Sequence, residues 1–148
     1  MAMAVFPDAA VHLVEPQSAC RPALERLART RASMTLHPIA PAEPGRRRLS
    51  FTGGTAEGGT GVHVLTAGEV DVDVELECAA TTLDELFAGR IQRSDRALLE
   101  LDLEGHELRA LRGARTLLGA IDVIIVEVQP CDINDSGVIR SFATCTTF

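Results

Sequence analysis

An α/β fold, a doubly wound parallel sheet with helices on its faces, is the class this sequence predicts, and three observations predict it. Two strand–helix–strand units can be read along the chain: VHLVEP–helix–MTLHPIA within residues 11–40, and ALLELDL–helix–IDVIIVEV within 97–128. The last two strands are aliphatic almost throughout, as strands covered on both faces are. The length of 148 residues and the 46% hydrophobic content suit one domain of ordinary size with a real core.

Taken in order, VHLVEP (11–16) is a short apolar run ended by an acid and a proline, which reads as a buried strand. In SACRPALERLARTRA, Ser18 is the expected helix cap, Leu24, Leu27 and Ala28 share one face, and arginines take the other. Pro22 is tolerable there only near the first turn. MTLHPIA (34–40) is a second strand, stopped by PAEPG, and from there to Gly68 a glycine-rich stretch centred on GGTAEGGTG reads as a loop between short extended pieces. It matches neither GxxxxGK(S/T) nor GxGxxG, so a phosphate cradle is not expected.

EVDVDVELE (69–77) alternates strictly, with Val70, Val72, Val74 and Leu76 on one face and Asp71, Asp73, Glu75 and Glu77 on the other. That is a strand with one wet face near an edge. Its carboxylates diverge in a row rather than converge on a point, so no metal site is expected. TTLDELFAG (81–89) has the T-x-x-E signature of a short capped helix closing at Gly89. ALLELDL (97–103) and IDVIIVEV (121–128) enclose a helix predicted over 105–119, with Leu108, Leu111 and Leu118 on its inner side. The chain divides into one domain over residues 1–130 and a C-terminal tail, 131–148, that carries no recognisable chemistry.

The formal charge of −7 argues against a nucleic-acid binder, which needs a basic face. All 14 basic residues are Arg, and the missing Lys excludes Schiff-base chemistry and a P-loop lysine. Cys20, Cys78, Cys131 and Cys145 form no CxxC pair, which fits reduced thiols in a cytosol. The longest aliphatic run, VIIV at 123–126, is far too short to span a bilayer, and the N-terminus lacks a signal-peptide pattern. A soluble cytoplasmic protein, without a membrane partner, is expected.

The stretch LELDLEGHELRALRGA (99–114) carries the chemistry. In a doubly wound sheet, ligands sit beyond the C-terminal ends of strands, beside helix N-termini. Asp102, Glu104, His106 and Glu107 stand at such a junction, and Glu15 holds the same place after an earlier strand. An acid there accepts hydrogen bonds from both ribose hydroxyls; the plain alternative is that Glu15-Pro16 ends a strand and helps cap a helix. A helix dipole accounts for one or two acids at a few tenths of a kcal/mol each, not for a cluster with a histidine. His106 is either a ligand contact or a packing residue at the helix start.

LLELDLEGHELRALRGARTLLGAIDVIIVEVQP resembles the signature region of the FkbM-type S-adenosylmethionine-dependent methyltransferases. There, a strand ending K-I-D-V-E-G-H-E runs into a helix L-x-V-L-x-G-A and then a strand ending V-E-V. The matching residues are Asp102, Glu104, Gly105, His106, Glu107, Leu108, Leu111, Gly113, Ala114 and Glu127; Glu100 stands where the family has lysine. VHLVEPQ is similar to the family's second strand, with Glu15 as its terminal acid, and MTLHPIAPAEPG to the third.

The resemblance implies a Rossmann-like class I methyltransferase sheet with flanking helices and S-adenosyl-L-methionine as cofactor. It implies O-methylation of a small-molecule or carbohydrate-like acceptor. Glu15, Ile39, Ala40 and Asp102 are then the cofactor residues, with Ile39 and Ala40 beside the adenine. Asp102, Glu104, His106 and Glu107 are the catalytic group that places the acceptor, with His106 or Glu104 as base. The family's glycine-rich loop, D-x-G-A-x-x-G, has no counterpart in the ten residues before Val11. The first strand, which in this family lies between the second and fourth, is therefore expected to be missing from an N-terminally truncated domain. Three outcomes would relieve the gap: the flanking strands pair directly, a second copy fills it in a homo-oligomer, or the chain is part of a longer one. The competing function is a non-catalytic remnant that no longer binds the cofactor.

Overall fold

A computed structural model describes residues 6–52, 63–64 and 76–127. The fold is mixed α/β, built from small sheets and short helices. Strand β1 (Val11–Val14) and strand β2 (Met34–His37) pair in parallel, Val11 opposite Met34 and Val14 opposite His37. Helix α1 (Arg21–Ala28) connects them, with Leu24, Leu27 and Ala28 half-buried as their spacing predicts. Ser18 is not its cap. The chain makes an extra turn in which the Arg21 N–H donates to the Ser18 carbonyl (3.3 Å), so Cys20 becomes the N-cap and makes no side-chain bond.

The strand predicted over 34–40 breaks at Pro38, which has no N–H to give a ladder. It resumes as β3 (Ala40–Pro41) in a different sheet. That sheet has the order β3, β6 (Leu76–Thr81), β4 (Arg48–Thr52), β5 (His63–Val64). β3 runs parallel to β6, while β4 is antiparallel to both β6 and β5. The strand predicted over 69–77 meets β6 only at Leu76 and Glu77; the rest of it, the GGTAEGGTG stretch and the 131–148 tail lie outside the described residues.

Helix α2 (Leu83–Leu86) starts as its sequence predicts: the Thr82 hydroxyl accepts from the Glu85 N–H at 3.0 Å, and Gly89 closes the following turn at φ +69°. β7 (Leu98–Leu101) and β8 (Val123–Val126) pair in parallel. Between them lies helix α3 (Glu107–Arg112), then a 3₁₀ turn at Leu117–Ala120. The single helix predicted over 105–119 is thus two short pieces, and Asp84 is the reason. Its carboxylate accepts from the Thr116 N–H (3.0 and 3.1 Å) and the Leu117 N–H (2.7 Å), and its own N–H donates to the Gly113 carbonyl (2.8 Å). Bonds that would have continued the helix go to α2 instead.

One core gathers Leu83, Phe87, Leu101, Ala110, Leu111, Ala114 and Leu117, with Val14 and Val126 packed against it; Leu108 is only half-buried. A second gathers Ala40, Ala42, Leu49, Phe51 and Ala80 inside the mixed sheet. The described residues form three small sheets rather than one doubly wound sheet, with a break between β1 and β7, where the first strand is expected to be missing. Among them β1 pairs with β2 alone and β7 with β8 alone, and β1 does not pair directly with β7. Val14 meets the core around Leu101 through side-chain packing. Nor is β8 covered on both faces: Val123, Ile124 and Ile125 are 49%, 43% and 49% exposed, although successive strand residues point to opposite sides. No helix among the described residues is long and apolar enough to cross a membrane.

Replacing Asp84 with alanine is expected to lower stability by about 1–3 kcal/mol, the cost of stranding hydrogen-bond donors at a packed junction. Urea unfolding checks this, and Asp84→Asn, which keeps one acceptor oxygen, should recover part of the loss. Equal stability of all three proteins would mean that Asp84 does not hold α2 to the 3₁₀ turn.

Candidate functional site

A cleft of about 100 Å³ opens at the C-terminal ends of β1 and β7. Val14, Glu15, Pro16 and Gln17 follow β1 into it, and Ala40 and Pro41 of β3 form part of its wall. Leu49 and Phe51 of β4 supply apolar surface; Asp102, Leu103, Glu104 and His106 come from the chain leaving β7. Glu15, Ala40, Asp102, Glu104 and His106 are thereby brought together. Ile39 and Glu107 do not line the cleft. Ile39 is held in a tight turn, its N–H donating to the His37 carbonyl at 2.9 Å, which leaves Ala40 as the wall residue.

Glu15 ends the strand and also borders the cleft. Its Oε1 accepts from the Gln17 N–H at 2.8 Å, fixing the turn after the strand.

The segment after β7 turns sharply. Glu104 has φ +50° and Gly105 has φ +93°. Glycine enters that region freely, whereas an L side chain there costs about 1–2 kcal/mol. Glu107 holds the turn in place: its buried carboxylate accepts through Oε1 from the Leu103 N–H (2.9 Å) and the Gly105 N–H (3.1 Å). The third acid of the cluster is thus folded back onto its own loop, where it positions Glu104 and His106. Glu107→Ala is expected to lose about 1–3 kcal/mol and to speed amide exchange at Leu103 and Gly105. Unchanged exchange at those two amides would remove Glu107 from this role.

The electrostatics split the cluster further. Glu127, just beyond β8, donates its backbone N–H to the Leu101 carbonyl at 2.9 Å. A side-chain hydrogen bond with Asp102 and the charge of Asp102 raise the Glu127 carboxyl above its ordinary range, with Glu104 and Glu107 adding to the effect. These two acids face one another across the ends of the parallel pair.

His106 is the opposite case. Burial and then the Arg109 charge push its imidazole down from 6.5 to about 4, against the weaker pull of Glu43 and a hydrogen bond with the Pro41 backbone. The ring is therefore neutral at pH 7. Proline has no N–H, so its backbone can only accept, and the ring must donate to it. Nε2 is buried and has no partner among the described residues, which puts the proton on Nδ1.

The apolar wall from Leu49 and Phe51 falls in the stretch read as a loop between short extended pieces; the alternation in RLSFT is the signal that would have located this piece. The Asp102–Glu127 pairing had no such signal, because it depends on the register of β7 with β8. Among the described residues, no group of three or more His, Cys, Asp or Glu side chains is arranged to hold a metal ion.

Compared with known protein families, residues 2–142 match the one described as the methyltransferase FkbM domain. No curated protein and no solved structure matches the chain.

Proposed function

Because the chain belongs to the FkbM methyltransferase family, we propose that it binds S-adenosyl-L-methionine on a Rossmann-like framework and methylates an oxygen of a small-molecule or carbohydrate-like acceptor. The observation that carries this reading is the convergence of Glu15, from the end of β1, with Asp102, Glu104 and His106, from the end of β7, on one cleft.

The acceptor chemistry of Glu15 suits the ribose hydroxyls of the cofactor. Glu15 has one oxygen held by Gln17 and a second for the diol, and Ala40 offers a small, buried wall beside it. When bound, the cofactor supplies an electrophilic methyl group on a sulfonium. The chain's own part is placement. Asp102 and Glu104 accept hydrogen bonds from the acceptor and fix its orientation, and Glu104 is a carboxylate able to take the hydroxyl proton. His106, neutral at pH 7, borders the same side of the cleft. Methyl transfer depends chiefly on alignment, so such positioning outweighs strong acid–base help.

A second reading is favoured by the size of the cleft. Its volume of about 100 Å³ falls short of the ~300–1,000 Å³ typical of ligand pockets. On that reading the chain keeps the family's scaffold without binding the cofactor. Calorimetric titration with S-adenosylmethionine separates the two. Binding that weakens by about 1–3 kcal/mol in Glu15→Ala supports the first, that being the usual cost of losing a charged hydrogen-bond partner. Asp102→Asn should then lower turnover more than affinity. No binding at millimolar cofactor leaves the second.

A further inference from the structure

His12 on β1 and His37 on β2 meet across the parallel pair. The register sets Val14 opposite His37 and His12 opposite Thr35, so the two rings are diagonal neighbours on one face. Val14 meets the core from that same face. His12 Nδ1 lies 2.9 Å from His37 Nε2, and the buried Phe87 sets its ring edge-on to both, at 5.2 and 5.7 Å between centroids.

Two ring nitrogens at that distance share one proton, one ring donating and the other accepting. The bond survives in a neutral pair and in a pair with one added proton. With two added protons, N–H faces N–H between like charges, and the bond is lost. Burial and the Arg90 guanidinium, on the turn after α2, oppose protonation of both rings, and His12 further opposes that of His37. The acids of α2 are engaged elsewhere, Asp84 with the Thr116 and Leu117 amides and Glu85 with Arg47, while Glu25 of α1 is exposed.

The backbone links this pair to the cleft. The His37 carbonyl accepts from the Glu15 N–H (3.1 Å) and from the Ile39 N–H (2.9 Å). Glu15 borders the cleft, and the turn at Ile39 leads into its wall residue Ala40. We propose that His12 and His37 form a proton-operated clasp, which holds Glu15 and the Ile39 turn at the cleft while the rings share a proton and releases them when both are charged. The clasp acts on the cleft wall whatever the cleft binds, so it stands apart from the methyl-transfer reading.

Amide exchange on the whole chain tests it, followed by NMR from neutral pH downwards together with the two imidazoles. The rings should take up protons in two steps below 6.5. The Glu15 and Ile39 amides should lose protection with the second step. The Asp84 and Asp122 amides, bonded to the Gly113 and Ala97 carbonyls, should keep theirs through it. In the double variant His12→Asn with His37→Gln, side-chain amides stand where the facing nitrogens stood, so a hydrogen bond remains that no proton breaks. Protection at Glu15 and Ile39 should then hold over the same range. His106→Gln, which removes the histidine of the cleft itself, should leave the parent behaviour in place. Should the double variant fail to fold, the order of events in the parent chain decides. Protection that persists with both rings charged, or a loss that Asp84 and Asp122 share from the start, overturns the clasp. So does a double variant that opens as the parent does, or a loss that His106→Gln abolishes.

Discussion

Gly113→Ala is expected to destabilise the protein by about 3 kcal/mol, the range in which overpacking a close-fitting junction falls. The residue is not there for an unusual backbone conformation, because its φ is −89°. Space is what demands it. A methyl group at Gly113 would sit 2.2 Å from the Ala42 carbonyl oxygen and 3.1 Å from Thr82 Cβ. Neither neighbour yields easily. Ala42 is fully buried and its N–H donates to the Thr81 carbonyl at 2.8 Å, while Thr82 caps α2. Gly113 therefore sets how closely the end of α3 approaches both β3 and α2, and with it the cleft wall at Ala40 and Pro41. Gly119→Ala is the control: nothing lies within 4 Å of the added carbon, so a change within about 0.5 kcal/mol is expected. If both variants unfold at the same urea concentration as the parent chain, α3 does not pack as closely as the structure shows.

This junction also shows where sequence reading reached and where it stopped. The positions of β1, β2, β7 and β8 were legible, because aliphatic runs ended by acids or proline mark where a chain can be buried and must then turn. Leu24, Leu27 and Ala28 likewise declared their shared face. The 105–119 helix was overextended because leucine spacing records which face is apolar, whereas its length is set by Asp84, a competitor from another element. The expected burial of the last strand on both faces failed for a related reason. VIIV reports that a strand prefers burial, not that a partner is at hand, and Val123, Ile124 and Ile125 remain well exposed. In the site, Glu15, Asp102, Glu104 and His106 were legible from position alone, since ends of parallel strands converge. Glu107 was not, because a carboxylate aimed at the ligand and one aimed back at its own loop are the same letter.

Acid is expected to remove about 3 kcal/mol of stability as pH falls from 6.5 towards 4, through His106. In the unfolded chain the imidazole titrates near 6.5; in the fold, burial and Arg109 hold it down to about 4. Between those values the unfolded state binds the proton and the folded state does not, so stability falls as pH falls. It is at its full value above 6.5, and by about pH 5 more than half of this contribution is gone. His12 and His37 act in the same direction. Their rings stack on adjacent strands, share a hydrogen bond at 2.9 Å and pack edge-on against Phe87, and burial lowers both, with Arg90 adding to it. Glu127 works in the opposite sense, because its raised carboxyl lets the folded state take up a proton first. It is fully exposed, so water screens the effect. Urea unfolding at a series of pH values should show the decline in the parent chain and a much flatter profile in His106→Gln, which has no ring to charge. Parallel profiles for the two proteins would show that His106 is not buried in its neutral form.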